Sequence, residues 1–117
     1  MPLSVLIVDD HAGFRASARK LLEGEGFEVV GEAGDGATAL RAARDLAPDL
    51  LLLDVALPDV SGYEVASRLA GEPPRVVLVS SRDQQDLGRR VLESGALGFI
   101  PKDRLTGEAI HALLETS

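Results

Sequence analysis

The sequence lacks cysteine, has fewer basic than acidic residues and contains no long apolar run. Without cysteine, the chain has no disulfide bond, no thiolate nucleophile and no Cys-ligated zinc. Its formal net charge of −7 disfavours binding to nucleic acid or to an anionic membrane, because phosphates would be repelled over most approaches. The apolar run from Leu50 to Leu53 is far too short to span a bilayer.

Length and composition indicate one ordinary globular domain. The 117 residues suffice for one core, and the 45% hydrophobic and 26% charged content argues against disorder and collagen-like repeats. Residues 1–12 contain no basic segment followed by an apolar stretch, so we expect no signal peptide. We therefore expect a single cytoplasmic domain over residues 1–117, without membrane association or direct contact with nucleic acid.

Short apolar runs alternate with amphipathic segments along the chain. The apolar runs predict five β-strands, at Leu3–Val8, Phe27–Ala33, Leu50–Leu53, Val76–Val79 and Gly98–Ile100. The amphipathic segments predict five helices, over Gly13–Glu25, from Asp35 to about Leu46, after Ser61, over Asp83–Ser94 and from Thr106. This alternation predicts a three-layer α/β fold, in which an open parallel sheet has right-handed crossovers and helices on both faces.

Polar side chains follow four of the predicted strands. They are Asp9 and Asp10 after the first strand, Asp54 after the third, Ser80 after the fourth and Lys102 after the fifth. Ligands of such sheets bind outside the carboxyl ends of the strands. The sequence therefore predicts that three carboxylates, one hydroxyl and one ammonium converge at one edge of the sheet.

The charge balance of this edge narrows its chemistry. Two carboxylates about 4 Å apart repel by roughly 4 kcal/mol at an effective dielectric near 20, so three carboxylates need compensating cations. Lys102 supplies one positive charge, and a hard divalent cation such as Mg²⁺ would supply more while leaving a position open for a phosphate oxygen. An aspartate beside such a cation is a competent nucleophile toward a phosphoryl group.

These motifs resemble the receiver domain of bacterial two-component response regulators. They are the pair Asp9 and Asp10 after an apolar strand, the segment from Asp54 through Pro58 to Gly62, then Ser80, and Phe99 three residues before Lys102. The resemblance implies a doubly wound, flavodoxin-like sheet of order 2-1-3-4-5. Two segments, Val79–Arg82 and Gly98–Lys102, are similar to those of the receiver subgroup that is fused to helix-turn-helix output domains or stands alone.

The resemblance also implies a role for each site residue. Asp54 would be the phosphoacceptor, and Mg²⁺ would be held by Asp10, Asp54, the backbone carbonyl of Ala56 and, through water, Asp9. Ser80 and Lys102 would contact the phosphoryl group. Phe99 would swing inward as part of the switch, while Ala56 and Arg82 occupy positions that tune dephosphorylation in the family. Our own hypothesis is that Arg82 reaches over the phosphoryl group and slows its hydrolysis.

The partners implied by the resemblance are a histidine kinase or a phosphotransferase. Phosphorylation would change the surface formed by the fourth helix, fifth strand and fifth helix, which is also a possible homodimer interface. Such a protein modifies itself and turns over no external metabolite, so we do not expect an enzyme in the usual sense.

Three alternatives stay open at this point. A metal-dependent phosphohydrolase is disfavoured, because phosphatases with an aspartate nucleophile have an acid two residues later, where this chain has His11. A degenerate receiver would bind proteins without being phosphorylated. The chain could also be the N-terminal domain of a DNA-binding transcriptional regulator.

Because Asp103 stands where relatives often have proline, the geometry of the Lys102–Asp103 bond is left open.

Overall fold

A computed structural model describes residues 2–71, 73–81 and 87–115 and contains one five-stranded parallel sheet. The strands are β1 Ser4–Val8, β2 Glu28–Ala33, β3 Leu50–Asp54, β4 Arg75–Ser80 and β5 Gly98–Pro101. Their order is β2-β1-β3-β4-β5, and each neighbouring pair is parallel. The predicted strands and the sheet order implied by the resemblance are confirmed.

Five α-helices alternate with the strands. They are α1 Ala12–Gly24, α2 Gly36–Leu46, α3 Gly62–Leu69, α4 Leu87–Ser94 and α5 Gly107–Glu115. The start of the predicted fourth helix at Asp83 lies outside the described residues. A short 3-10 turn, Lys102–Arg104, follows β5 and was not predicted. No helix in the described ranges is long and apolar enough to cross a membrane.

The sheet is covered on both faces, which explains the continuous apolar run in β3. Leu51 and Leu53 pack with residues of α2, α3 and α4, whereas Leu50 and Leu52 pack with residues of α1 and α5. All four leucines are fully buried. Successive residues of a strand point to opposite faces. When both faces are covered, every side chain is therefore buried, and apolar residues are favoured at each position.

The strand register brings the predicted polar residues to one edge. Val8 pairs with Leu53, and Asp54 pairs with Val79, so Asp9 and Asp54 stand on neighbouring strand ends. Ser80 pairs with Pro101, directly before Lys102. The sole cis peptide bond within the described ranges joins Pro73 and Pro74, so the Lys102–Asp103 bond is trans.

Two aspartate side chains accept hydrogen bonds from the first turn of α2, and one of them belongs to a distant loop. Asp35 is the N-cap, and its side chain accepts a hydrogen bond from the Thr38 N–H at 2.7 Å. Asp59, in the loop after β3, accepts from the N–H groups of Gly36 and Ala37. These backbone hydrogen bonds lower the pKa of Asp59. The loop that follows Asp54 is thereby tied to the start of α2.

We expect Asp35→Ala to lower the free energy of unfolding by about 1 kcal/mol, because the N-cap hydrogen bond is lost. Urea unfolding at neutral pH measures the change. Asp45→Ala, at an exposed position near the other end of α2, is the matched control and should be almost neutral. Equal effects of the two substitutions would contradict the assigned cap.

Candidate functional site

The candidate site is an acidic cup at the carboxyl ends of β1 and β3. Asp9 directly follows β1 and is fully buried, and Asp54, the last residue of β3, is 3% exposed. Asp10 is exposed at the rim. Backbone hydrogen bonds from Asp9 to Ala33 and from Val55 to Val79 extend the sheet's pairing into the cup and fix the positions of both carboxylates.

The carboxylates predicted to converge do lie together. One ligand atom from each of Asp9, Asp10, His11 and Asp54 lies within 4.8 Å of the other three. Carboxylate oxygens at this spacing are the donors that Mg²⁺ prefers. The donor set therefore fits the predicted cation.

Lys102 enters the cup from the 3-10 turn after β5. Its Nζ lies 2.5 Å from Oδ2 of Asp9 and 3.6 Å from Oδ2 of Asp54. The same ammonium lies 4.5 Å from the ring centroid of Phe14 on α1, a cation–π distance. One cation thus faces two buried carboxylates, and the aromatic ring of Phe14 helps to hold it.

Asp54 is held in an environment that disfavours its charge. Burial raises the pKa of Asp54 above its ordinary value, and the negative charge of Asp9 raises it further. The ammonium of Lys102 and the N–H of Ala56, 3.4 Å from Oδ1, act in the opposite direction. In the folded site, the negative charge of the carboxylates is therefore incompletely compensated by Lys102, as the sequence predicts.

The other predicted residues that the structure describes differ in how deeply they are buried. Ser80 ends β4 and is 2% exposed, while Phe99 on β5 is half-buried and packs against the core formed with α2, α3 and α4. Ala56 is exposed and forms an isolated bridge with Ser61. Arg82, predicted to tune dephosphorylation, lies outside the described residues.

Two further side chains contact the site residues, and the sequence pattern does not indicate either. Helical spacing puts Arg15 on the polar face of α1, but its side chain donates to the backbone carbonyl of Asp9 at 2.5 Å and to Glu32 at 3.0 Å. The Nδ1 of His11 lies 3.0 Å from one oxygen of Asp9 and 3.0 Å from one of Asp10. The contacts of both side chains depend on where α1 starts relative to β1 and β2.

Gly62 allows the loop after Asp54 to fold closely against β3. Its N–H donates to the Val55 carbonyl at 2.8 Å, and a Cβ there would lie 2.8 Å from the Val55 Cα. We expect Gly62→Ala to cost about 1–3 kcal/mol of unfolding free energy, because backbone atoms next to Asp54 must move. Urea unfolding measures this cost.

Gly13 offers a matched control for that prediction. It lies in α1, and a Cβ there would have no atom within 4 Å. Gly13→Ala should be neutral or stabilising by up to about 1 kcal/mol, since alanine favours a helix. If both glycine substitutions gave the same change, the close approach at Gly62 would be unimportant.

Comparisons with known proteins agree on one family. The family model of the response regulator receiver domain matches residues 5–115. The virulence-factor transcription regulator BvgA of Bordetella pertussis is 43% identical over 110 residues, which cover 92% of this chain and 53% of BvgA. Response regulator GacA of Pseudomonas aeruginosa is 35% identical over 114 residues, covering 95% of this chain and 53% of GacA. The chain thus spans about half the length of these curated relatives.

Solved structures show the same similarity. The signal receiver domain of the response regulator NarL from Mycobacterium tuberculosis superposes with a TM-score of 0.86 and 36% identity, over 98% of this chain and 95% of that chain. CheY from Borrelia burgdorferi, in a complex of CheX and CheY with BeF₃ and Mg²⁺, superposes with a TM-score of 0.85 and 26% identity, over 99% and 89%.

Proposed function

The chain belongs to the response regulator receiver domain family, and from this membership we propose that it is the phosphoacceptor of a two-component phosphorelay. It takes a phosphoryl group from a histidine of a partner kinase or phosphotransferase onto Asp54. It turns over no external metabolite, in keeping with relatives that are response regulators and transcription regulators. A cytoplasmic location stays a prediction.

The observation that carries this proposal is the environment of the Asp54 carboxylate. It is buried beside a second carboxylate, its pKa is raised, and the ammonium of Lys102 lies 3.6 Å away. Asp54 shares this ammonium with Asp9. A structural role would favour one cation for each buried carboxylate, because an incompletely compensated buried charge destabilises a fold. A carboxylate kept in this position is typical of a reactive group.

In the proposed reaction, an oxygen of Asp54 forms a bond to phosphorus while the P–N bond to the donor histidine breaks. The products are an acyl phosphate and a free imidazole, which takes up a proton from solvent. Lys102, already in the cup, pairs with the phosphoryl oxygens, and Ser80 donates a hydrogen bond to them. Both interactions stabilise negative charge on the transferred group, which is most of what phosphoryl transfer requires of a protein.

Asp10, Asp54 and the backbone carbonyl of Ala56 would hold Mg²⁺ directly, with Asp9 contacting it through water. When bound, this cation would neutralise the developing charge on the phosphoryl oxygens. The mutual proximity of the carboxylates supports this assignment, since their repulsion is relieved by a divalent cation.

The proposed output is a change of the surface formed by α4, β5 and α5. Phosphate would favour the state in which Ser80 and Phe99 have moved, because it binds that state more tightly. Ala56 and Arg82 would set the lifetime of the acyl phosphate. Leu92, on α4, is 83% exposed and offers this surface an apolar contact, including for a homodimer.

The proposal is tested by incubating the protein with Mg²⁺ and acetyl phosphate and measuring intact mass. We expect one added phosphoryl group, absent in Asp54→Asn and retained in Asp45→Asn, a change at an exposed aspartate of α2. Steady phosphate release without a stable adduct would instead indicate a phosphohydrolase. No reaction would indicate a receiver that binds its partners without phosphorylation.

A second proposal concerns the protein of which this chain would be a part. BvgA is a transcription regulator, and this chain matches 53% of its length. This supports a receiver that acts as the N-terminal domain of a DNA-binding regulator.

Light scattering with and without beryllofluoride, a phosphoryl mimic, would show whether activation also causes dimerisation.

A further inference from the structure

His11 is the one nitrogen donor in the cluster of possible metal ligands found among the described residues. Its Nδ1 lies 3.0 Å from an oxygen of Asp9 and 3.0 Å from an oxygen of Asp10, although 69% of the side chain is exposed. An exposed imidazole could point elsewhere at little cost. Here it turns toward the carboxylates that form the cup.

The position of His11 is fixed by the backbone rather than by the imidazole. Its N–H donates to Oδ1 of Asp9 at 2.8 Å, and its carbonyl accepts from the Arg15 N–H at 3.1 Å. His11 is also the N-cap of α1, but its side chain makes no capping hydrogen bond. Serine, threonine, aspartate and asparagine are preferred at such positions because they do cap. The start of α1 therefore uses the backbone of His11, while its ring contacts the carboxylates and takes no part in the cap.

We propose that His11 is a metal-specificity residue, which adds a nitrogen ligand to the cation site and shifts its preference from Mg²⁺ toward first-row transition cations. The proposal rests on the cation site of the proposed function and concerns which cation that site selects. Carboxylates and carbonyls suit Mg²⁺, whereas imidazole binds Ni²⁺, Fe²⁺ and Zn²⁺ far better.

The Nδ1 atom of His11 can serve as donor or as ligand, depending on which ring nitrogen carries a proton. As Nδ1–H it donates to the Asp9 carboxylate. With the proton on Nε2 instead, Nδ1 offers a lone pair toward the same place. A cation among these carboxylates would thus replace a hydrogen bond with a metal–nitrogen bond.

Titration calorimetry with Mg²⁺ and with Ni²⁺, without any phosphodonor, tests the proposal. His11→Gln keeps a side chain of similar length and can offer an oxygen but no imidazole. We expect it to weaken Ni²⁺ binding about tenfold or more and to change Mg²⁺ binding by less than about twofold. His111→Gln, at the other histidine of the chain, which stacks on Phe27, should change neither affinity.

Three results would overturn the proposal. In the first, His11→Gln changes the two affinities equally or changes neither. In the second, Asp10→Asn leaves Ni²⁺ binding intact, which would put the Ni²⁺ away from the cup. A third measurement is independent of folding changes in the variants: Mn²⁺ should broaden the ring resonances of His11 before those of His111, and the opposite order would also overturn the proposal.

Failure of this proposal is distinguishable from failure of the proposed function. Phosphorylation of Asp54 with Mg²⁺ is scored by mass and does not require His11. A shift in metal preference without any acyl phosphate would reject the phosphorelay and keep the specificity role. An acyl phosphate with unchanged metal preference would keep the phosphorelay and reject the specificity role of His11.

Discussion

Replacing Lys102 by methionine is expected to lower the free energy of unfolding by about 3 kcal/mol at pH 7, because it leaves buried carboxylates without their cation. Asp9 is fully buried, and its Oδ2 lies 2.5 Å from the lysine Nζ. Methionine keeps the length and apolar stem of lysine, so the loss is chiefly one of charge. Urea unfolding measures the effect.

Two further variants separate charge from packing. Lys20→Met, at an exposed position of α1 and the other lysine of the chain, should be almost neutral. Adding Asp9→Asn to Lys102→Met should recover much of the lost stability, since one of the two buried negative charges is then absent. If Lys102→Met were as mild as Lys20→Met, the ammonium would not be needed to hold the cup together.

The pH dependence of Lys102→Met gives an independent check. The pKa of Asp54 is raised even with the ammonium nearby, and removing that ammonium removes an interaction that lowers it. The folded variant therefore holds a proton on Asp54 to higher pH than the unfolded chain does. Its stability should recover as pH falls, so the deficit relative to the parent should shrink toward acidic pH.

Much of the fold follows from hydrophobic pattern alone. The apolar runs at Leu50–Leu53 and Val76–Val79 predict strands covered on both faces, and the parallel sheet places helices on both sides. Asp54 and Ser80 were expected after their strands and instead are the last residues of β3 and β4. The pattern shows where apolar residues end, whereas backbone pairing continues for one more residue. The strand order itself came from the family resemblance.

The site was predictable where strand ends determine it and unpredictable where helix packing does. The approach of Asp9, Asp54 and Lys102 follows from parallel strands meeting at one edge. The contacts of Phe14 with Lys102 and of Arg15 with the Asp9 carbonyl depend on how α1 is rotated over the sheet. Helical periodicity places Phe14 on the apolar face and Arg15 on the polar one. It cannot show that both residues reach the carboxyl edge of the sheet.

Asp54→Asn is expected to abolish phosphorylation and at the same time to stabilise the fold by about 1 kcal/mol at pH 7. The amide cannot form an acyl phosphate. It also carries no charge, so it avoids both the burial and the repulsion from Asp9 that raise the pKa of the native carboxyl. Mass measurement after acetyl phosphate treatment and urea unfolding check the two effects in the same variant.

The sign of the pH effect makes this prediction specific. Because the folded pKa of Asp54 is raised above 3.8, the folded parent binds more protons than the unfolded chain between the two values. Its stability therefore falls as pH rises through that window, and the deficit persists at neutral pH. In Asp54→Asn this contribution is absent, so the advantage of the variant should vanish at pH values below the unfolded pKa. An advantage of the same size at acidic and neutral pH would point to packing, and a destabilised variant would mean that the Lys102 ammonium more than offsets the cost of burying the Asp54 charge.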